Sequence, residues 1–241
     1  MISGVSPRDV SGVRTLEIVS EAPRYNTWMY ETIAPWVGRR VLEVGSGIGN
    51  MSEQLLRGNP EDLVLTDIDP WYREQLRARF GSRAEVRVEG LELPDVSAGA
   101  RFGQDRIDTV VALNVIEHIE DDVEAVRSMA DVLSPGGRVV ILVPAMETLY
   151  GEMDRELGHF RRYSRRSLTR VLTLAGLHVE RLTWFSRFSV LGWWFNGRVR
   201  RERFIPVGQI RLMNALVPIL RMERFLPLPF GLSLIAVGSR A

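Results

Sequence analysis

Apolar residues in the first 144 positions gather in five short runs: RVLEV (40–44), LVLTD (63–67), EVRVE (85–89), IDTVVALN (107–114) and RVVILVP (138–144). Turn-forming residues flank most of them, so they predict buried strands. The stretches between, 49–57, 70–80 and 121–133, predict helices. Asp69 followed by Pro70 offers a cap and a first-turn proline for the second helix, and SPGG (134–137) ends the third. This alternation predicts a parallel sheet with helices on both faces. Beyond residue 144 the pattern changes. METLYGEMDRELGHFRRYSRRSL is polar, basic and aromatic; a helix is expected over 165–175, a strand over 177–184 and a last strand over 232–240.

Composition narrows the chemistry. The 241 residues are 45% hydrophobic and 25% charged, ordinary for one soluble α/β domain. There is no cysteine, which excludes disulfides, thiolate nucleophiles and Cys-ligated zinc. All 31 basic residues are Arg, which excludes lysine Schiff-base chemistry. The formal net charge of +1 gives no general pull on nucleic acid, and no nucleic-acid partner is expected. MISGVSPRDV has no apolar signal region and no 18-residue apolar run exists, so a cytoplasmic location is expected.

The first strand runs straight into Gly45-Ser46-Gly47-Ile48-Gly49. Bare backbone there lets a ligand approach the strand–helix turn. The spacing is G-x-G-x-G, not the G-x-G-x-x-G of dinucleotide sites. Glu43, two residues upstream, repels a pyrophosphate and suits a cation. Asp67 ends the second strand 22 residues after Gly45, where a carboxylate offers two acceptors to two ribose hydroxyls.

VLEVGSGIG resembles the first motif of the class I S-adenosylmethionine-dependent methyltransferases, small-molecule type, and the resemblance extends in order over about residues 40–143. It implies an α/β, Rossmann-like, mostly parallel seven-stranded sheet with helices on both faces, the last strand antiparallel and a helical insertion before it. It implies one domain over 1–241: a helical cover (1–39), a cofactor-binding core (40–144) and a substrate-side half (145–241). The cofactor implied is S-adenosyl-L-methionine. Gly45, Ser46, Gly47 and Gly49 would admit its amino-acid end, Glu43 would support its ammonium, Asp67 its ribose and Ile68 its adenine. Glu89, Gly90 and Leu91 take the other adenine positions, and Asn114 lies under the methionine part. Tyr25, in the covering helix, reaches toward the carboxylate end or serves as an aromatic staple.

Proton removal from a hydroxyl acceptor needs a base, and the chain has three histidines. His178 lies on the sixth strand, away from the ligand edge, and reads as structural. His159, in GHFRRYS after the fifth strand, is the favoured base, with Arg161, Arg162 and Tyr163 beside it as substrate contacts. His118 is the second catalytic candidate. Glu117–His118 is similar to the E-x-x-E-H of metal-dependent methyltransferases, but Asn114 stands at its first position and no metal is expected. Residues 185–230 carry Trp193 as a further substrate contact and a basic, apolar helix. That segment reads as a lid for a hydrophobic acceptor, a peripheral membrane contact, packing over the sheet or a dimer interface. The function expected is methyl transfer to a natural-product, sugar or lipid-like acceptor, most readily on oxygen. N- or C-methylation, a nicotinamide-dependent oxidoreductase and a non-catalytic scaffold are the alternatives.

Overall fold

Seven strands form one sheet in the order β3-β2-β1-β4-β5-β7-β6 in the computed structural model, which describes residue 17 and residues 20–196, 207–226 and 228–240. The beginning of the expected N-terminal cover and the 197–206 part of the insertion lie outside the described residues. The strands are β1 (Arg40–Val44), β2 (Asp62–Asp67), β3 (Val86–Gly90), β4 (Thr109–Leu113), β5 (Arg138–Pro144), β6 (His178–Phe185) and β7 (Ser233–Ser239). β7 runs antiparallel between β5 and β6, as expected; the remaining pairings are parallel.

Buried central strands explain the unbroken apolar runs in the sequence. Five of the seven β5 residues are apolar and fully buried, since helices cover both faces. One face packs Leu42, Val110 and Ile141 against α4 (Ala98–Phe102), α5 (Asp122–Val132) and α7 (Arg165–Leu174). The other packs Val41, Leu65 and Val140 against α1 (Pro23–Ile33), α2 (Asn50–Leu56), α3 (Pro70–Phe80) and α9 (Val207–Leu220). Two short helices complete the described set: α6 (Glu152–Glu156) after β5, and α8 (Ser189–Trp194) after β6.

Helix starts follow the expected chemistry. Asp69 caps α3 by accepting from the Trp71 amide at 2.8 Å, with Pro70 in the first turn. The start of α1 is different. Its N-cap is Ala22, which has no capping side chain. The amides of Arg24 and Tyr25 instead donate to Oδ1 of Asn214 on α9, at 2.8 and 3.3 Å. Arg211 and Arg221 pair with Glu21 and Glu31, so two arginines of the basic, apolar helix serve to clamp the insertion onto the α1 region.

The strand order reverses between β1 and β4. In open α/β sheets the crevice at such a switch point, beyond the carboxyl ends of the strands, is where ligands bind. The turns after β1 and β4 therefore meet there. A Cβ placed on Gly45 would lie 2.8 Å from Val115 Cγ2, which shows how closely the two turns approach.

Candidate active site

The turn after β1 is held by backbone. Ser46 N–H donates to the Thr66 carbonyl at 2.9 Å, and Gly47 N–H donates to Asp67 Oδ2 at 2.9 Å. Gly49 has φ +86, and a Cβ there would strike Phe80 at 2.4 Å, so only glycine fits. Strand alternation turns Glu43 to the Val41 face, beneath α2, where the Ser52 hydroxyl donates to its carboxylate. Burial pushes the Glu43 pKa up to about 7, against that hydrogen bond. A buried acid beside an open turn is a place for positive charge, and it repels phosphate.

Asp67 is buried and accepts from Gly47 N–H and, at 2.9 Å, from Asp69 N–H. Each carboxylate oxygen retains a second lone pair, enough for a pair of hydroxyl donors. Burial raises its pKa, the two backbone amides opposing. Ile68 follows with 60% of its surface exposed, an apolar face open for a flat ring. Glu89 and Gly90 are half-buried at the end of β3. Leu91 departs from the expected adenine contact: its amide reaches the Asp67 carbonyl at 3.4 Å and its side chain is in the core, so it shapes the site from behind. Asn114 is exposed beyond β4 with φ +55, and its N–H donates to Leu142 O at 2.8 Å. These features fit a sulfonium and ammonium ligand with a ribose and an adenine.

Tyr25 takes the staple role. Its ring packs on Trp28 and Phe185, its hydroxyl bonds the Ser186 side chain, and burial lifts its pKa to about 12. A phenol bound in this way is not available to a cofactor carboxylate.

The acceptor side is assembled from distant segments. Residues 145–163 leave β5 and return to it. Tyr163 N–H donates to Pro144 O at 2.9 Å, and Met146 N–H donates to Tyr163 O at 3.0 Å, closing the excursion. Inside it, His159 Nδ1 faces Asp154 Oδ1 at 3.0 Å, and its side chain is only 8% exposed. Asp154 also accepts from Arg162 Nε at 2.8 Å. Burial alone would raise the Asp154 carboxyl, but the His159 hydrogen bond and the Arg162 charge prevail and hold it below the usual carboxylate range. A carboxylate at Nδ1 favours the tautomer with the proton on Nδ1 and the acceptor lone pair on Nε2. The His118 ring stands edge-on to His159, centroids 4.7 Å apart, so both histidine candidates reach one place.

Two of the expected substrate contacts are elsewhere. Tyr163 is 1% exposed, with its hydroxyl donating to Asp122 Oδ2 at 2.8 Å. Arg162 is buried on Asp154 and donates to the Ala145 carbonyl at 3.0 Å. Both build the loop and neither is open to an acceptor. Arg161 is partly exposed and pairs with Asp122 at 2.8 Å, while the half-buried Trp193 stacks on the Arg162 guanidinium at 4.5 Å. Trp193 thus ties the insertion to the histidine loop. His178 stands at the start of β6, at the opposite end of the sheet from the switch-point crevice.

Asp154 carries weight that the sequence did not show, and Glu117, expected only as part of a partial metal-type motif, is drawn into the site. Glu117 is fully buried beside His118, and neither carboxylate oxygen has a hydrogen-bond partner. Burial pushes its pKa up to about 8, although Arg162 draws it down. One ligand atom from each of Glu117, His118 and His159 lies within 4.8 Å of the others. Asp154 had no signal of its own: it is one acid in a polar run, and the turn after α6, where His159 N–H donates to Asp154 O at 2.9 Å, brings the two side chains together.

A Rossmann-like sheet with an antiparallel seventh strand, a phosphate-averse turn and a ribose-type acid together define a class of cofactor-dependent transferases. The profile of a family described as a methyltransferase domain matches residues 24–182. A Mycolicibacterium smegmatis protein named a probable S-adenosylmethionine-dependent methyltransferase is 31% identical over 183 residues, 71% of this chain and 66% of that one. A ubiquinone biosynthesis O-methyltransferase of Bordetella avium is 33% identical over 114 residues, 46% of this chain and 45% of its own. In fold, a chain from the Haloferax volcanii complex of the Trm112 methyltransferase activator with a methyltransferase superposes with TM-score 0.67 at 16% identity, covering 98% of this chain and 99% of that one. The chain belongs to the class I S-adenosylmethionine-dependent methyltransferase family. It spans about two thirds of the mycobacterial relative and less than half of the Bordetella one.

Proposed function

We propose that the protein methylates a hydroxyl oxygen of a small, partly hydrophobic acceptor, with His159 as the base. The observation that carries this reading is the His159–Asp154 pair beside His118, at the sheet edge where the β4 and β5 loops meet. Bound S-adenosylmethionine supplies an electrophilic methyl group on a sulfonium. Glu43, the 45–49 turn, Asp67, Ile68, Glu89, Gly90 and Asn114 are the residues that would hold it. Asp154 fixes the imidazole of His159, whose Nε2 lone pair takes the acceptor proton. Arg162 keeps Asp154 ionised for that task. His118 walls the other side of the acceptor, and Arg161 and Trp193 border it. Alignment of an acceptor with the methyl carbon contributes several kcal/mol of the rate enhancement, and positioned proton transfer contributes about 10²–10⁴-fold.

A second reading rests on Glu117. An unpartnered buried carboxylate within 4.8 Å of two imidazoles is a ligand set for a divalent cation, which would ionise the same hydroxyl in place of a base. One experiment separates the two. Turnover is measured on a panel of phenols, sugars and lipid-like alcohols, for wild type and His159→Ala, with and without EDTA. Base catalysis gives a kcat loss of about 10²–10⁴ in His159→Ala, S-adenosylhomocysteine affinity within about threefold, and no EDTA effect. EDTA inhibition reversed by a metal selects the second reading. Full activity in the variant removes both.

A further inference from the structure

Ten of the fourteen large hydrophobic side chains left exposed among the described residues lie between Phe188 and Leu226. They are concentrated rather than scattered, and a patch of that kind marks a surface that something covers. Their spacing is helical. Leu212, Leu216, Ile219, Met222 and Phe225 recur at three- or four-residue steps along α9 and the following 3₁₀ turn (Arg221–Phe225). The opposite face of α9 holds the buried Ile210 and Val217 against the body of the protein. The helix is therefore apolar on both sides, with only one side packed. Leu191 and Trp194 on α8 add to the uncovered apolar area.

Charge decides what covers it. Residues 185–230 contain eight arginines and two glutamates, whereas the whole chain carries a formal net charge of +1; Arg187, Arg211 and Arg221 are paired with Glu223, Glu21 and Glu31, which leaves five arginines of the segment to set its sign. Two copies meeting through this segment would bring like charges together. An anionic surface would not. Arg24, Arg221 and Arg224 line a cavity of about 550 Å³ together with Met222 and Phe225, placing guanidinium groups beside the apolar stripe. A helix with apolar side chains on one side and arginines at its border lies in the interface of a bilayer, with the basic groups at headgroup level. No helix among the described residues is long and apolar enough to cross a membrane, which agrees with a face that rests on one.

We infer that the exposed face of α8, α9 and the 221–225 turn docks on an anionic lipid surface, burying its apolar stripe and directing arginines to lipid phosphates. Trp193, next to the exposed Trp194 on α8, stacks on the Arg162 that holds Asp154, so the docked surface adjoins the histidine loop. Docking is independent of which acceptor atom is methylated.

The test is co-sedimentation of the full chain with phosphatidylcholine vesicles, with and without phosphatidylglycerol. Binding is expected to be at least about tenfold stronger with phosphatidylglycerol and to weaken as sodium chloride is raised. Leu216→Glu/Ile219→Glu/Phe225→Glu changes only exposed positions and should abolish pelleting. Arg24→Glu/Arg224→Glu, a charge-only variant, should do the same should the first fail to fold. S-adenosylhomocysteine affinity, measured alongside, should stay at the wild-type level, because neither variant touches the cofactor turn. Equal pelleting with both vesicle types, or unchanged binding by a folded variant, overturns the inference. So does a wild-type dimer in sedimentation equilibrium that the triple variant dissociates, since the face would then be an interface between copies.

Discussion

The two halves of the site are built by different means. The cofactor half uses backbone: positive-φ glycines, amides tied to the end of β2, and single acids at strand ends. Its parts lie within about two turns of a strand terminus, and the sheet places them automatically. The half proposed for the acceptor uses side chains drawn from four segments. His118 comes from the β4 turn, Asp154 from α6, His159 and Arg162 from the returning loop, and Trp193 from the insertion. A backbone-built pocket fits one common cofactor, whereas a side-chain-built pocket can change with each acceptor.

The largest effect that would sharpen this contrast is expected from Asp67→Ala. It removes the ribose acceptor and also the bond that holds Gly47, so S-adenosylhomocysteine affinity should fall at least about 100-fold by calorimetry. An unchanged affinity would break the ribose assignment. Glu43→Gln should weaken binding by about tenfold, less than Asp67→Ala, because it removes a charge and keeps an acceptor. A loss as great as that of Asp67→Ala would give Glu43 a direct structural share in the turn.

Glu117→Gln should act through pH and leave cofactor affinity alone. The folded-state pKa of Glu117 is about 8 against an ordinary 4.5, so the folded protein retains a proton that the unfolded chain releases. Stability therefore falls as pH rises from about 4.5 to 8. Glu43, at about 7, adds to the same slope but stops contributing above that pH. The variant should melt about 3 °C higher than wild type at pH 8, with the gap closing near pH 5. The smallest effect is expected from Tyr163→Phe. It leaves Asp122 without its buried donor and should cost about 1 kcal/mol in thermal unfolding, with KM for the acceptor unchanged. A raised KM alone would return Tyr163 to the acceptor site.

Legibility followed the same division. β1 and β5 fall on the expected residues, and the other strands within two, because central strands buried on both faces must be continuous apolar runs. β4 stops early because Asn114 turns into the left-handed region. The glycine turn and Asp67 were readable as local patterns. Tyr163 was not: an aromatic in a basic run reads as surface, and only the bridge to Ala145 draws it inward. Leu91 misled for a related reason, since a strand-end position does not reveal whether its amide is already engaged. The His159–Asp154 pairing needed the turn that follows α6, and the Arg162–Trp193 stack needed the insertion's packing. Neither has a sequence period to announce it.

The cap that Asn214 provides for α1 spans a sequence separation of 190 residues. An 11-residue helix is marginal by itself, and this one begins at an alanine that cannot cap it. On the ribosome, α1 emerges first and then waits for its partner. At ordinary elongation rates of about 5–20 residues per second, that wait lasts roughly 10 to 40 s. The sheet strands β1 to β5 are all synthesised in the interval. The start of α1 is therefore completed only after α9 has been made: the segment over α2 closes late, after the insertion has docked, and a nascent chain stopped before α9 would leave that helix uncapped.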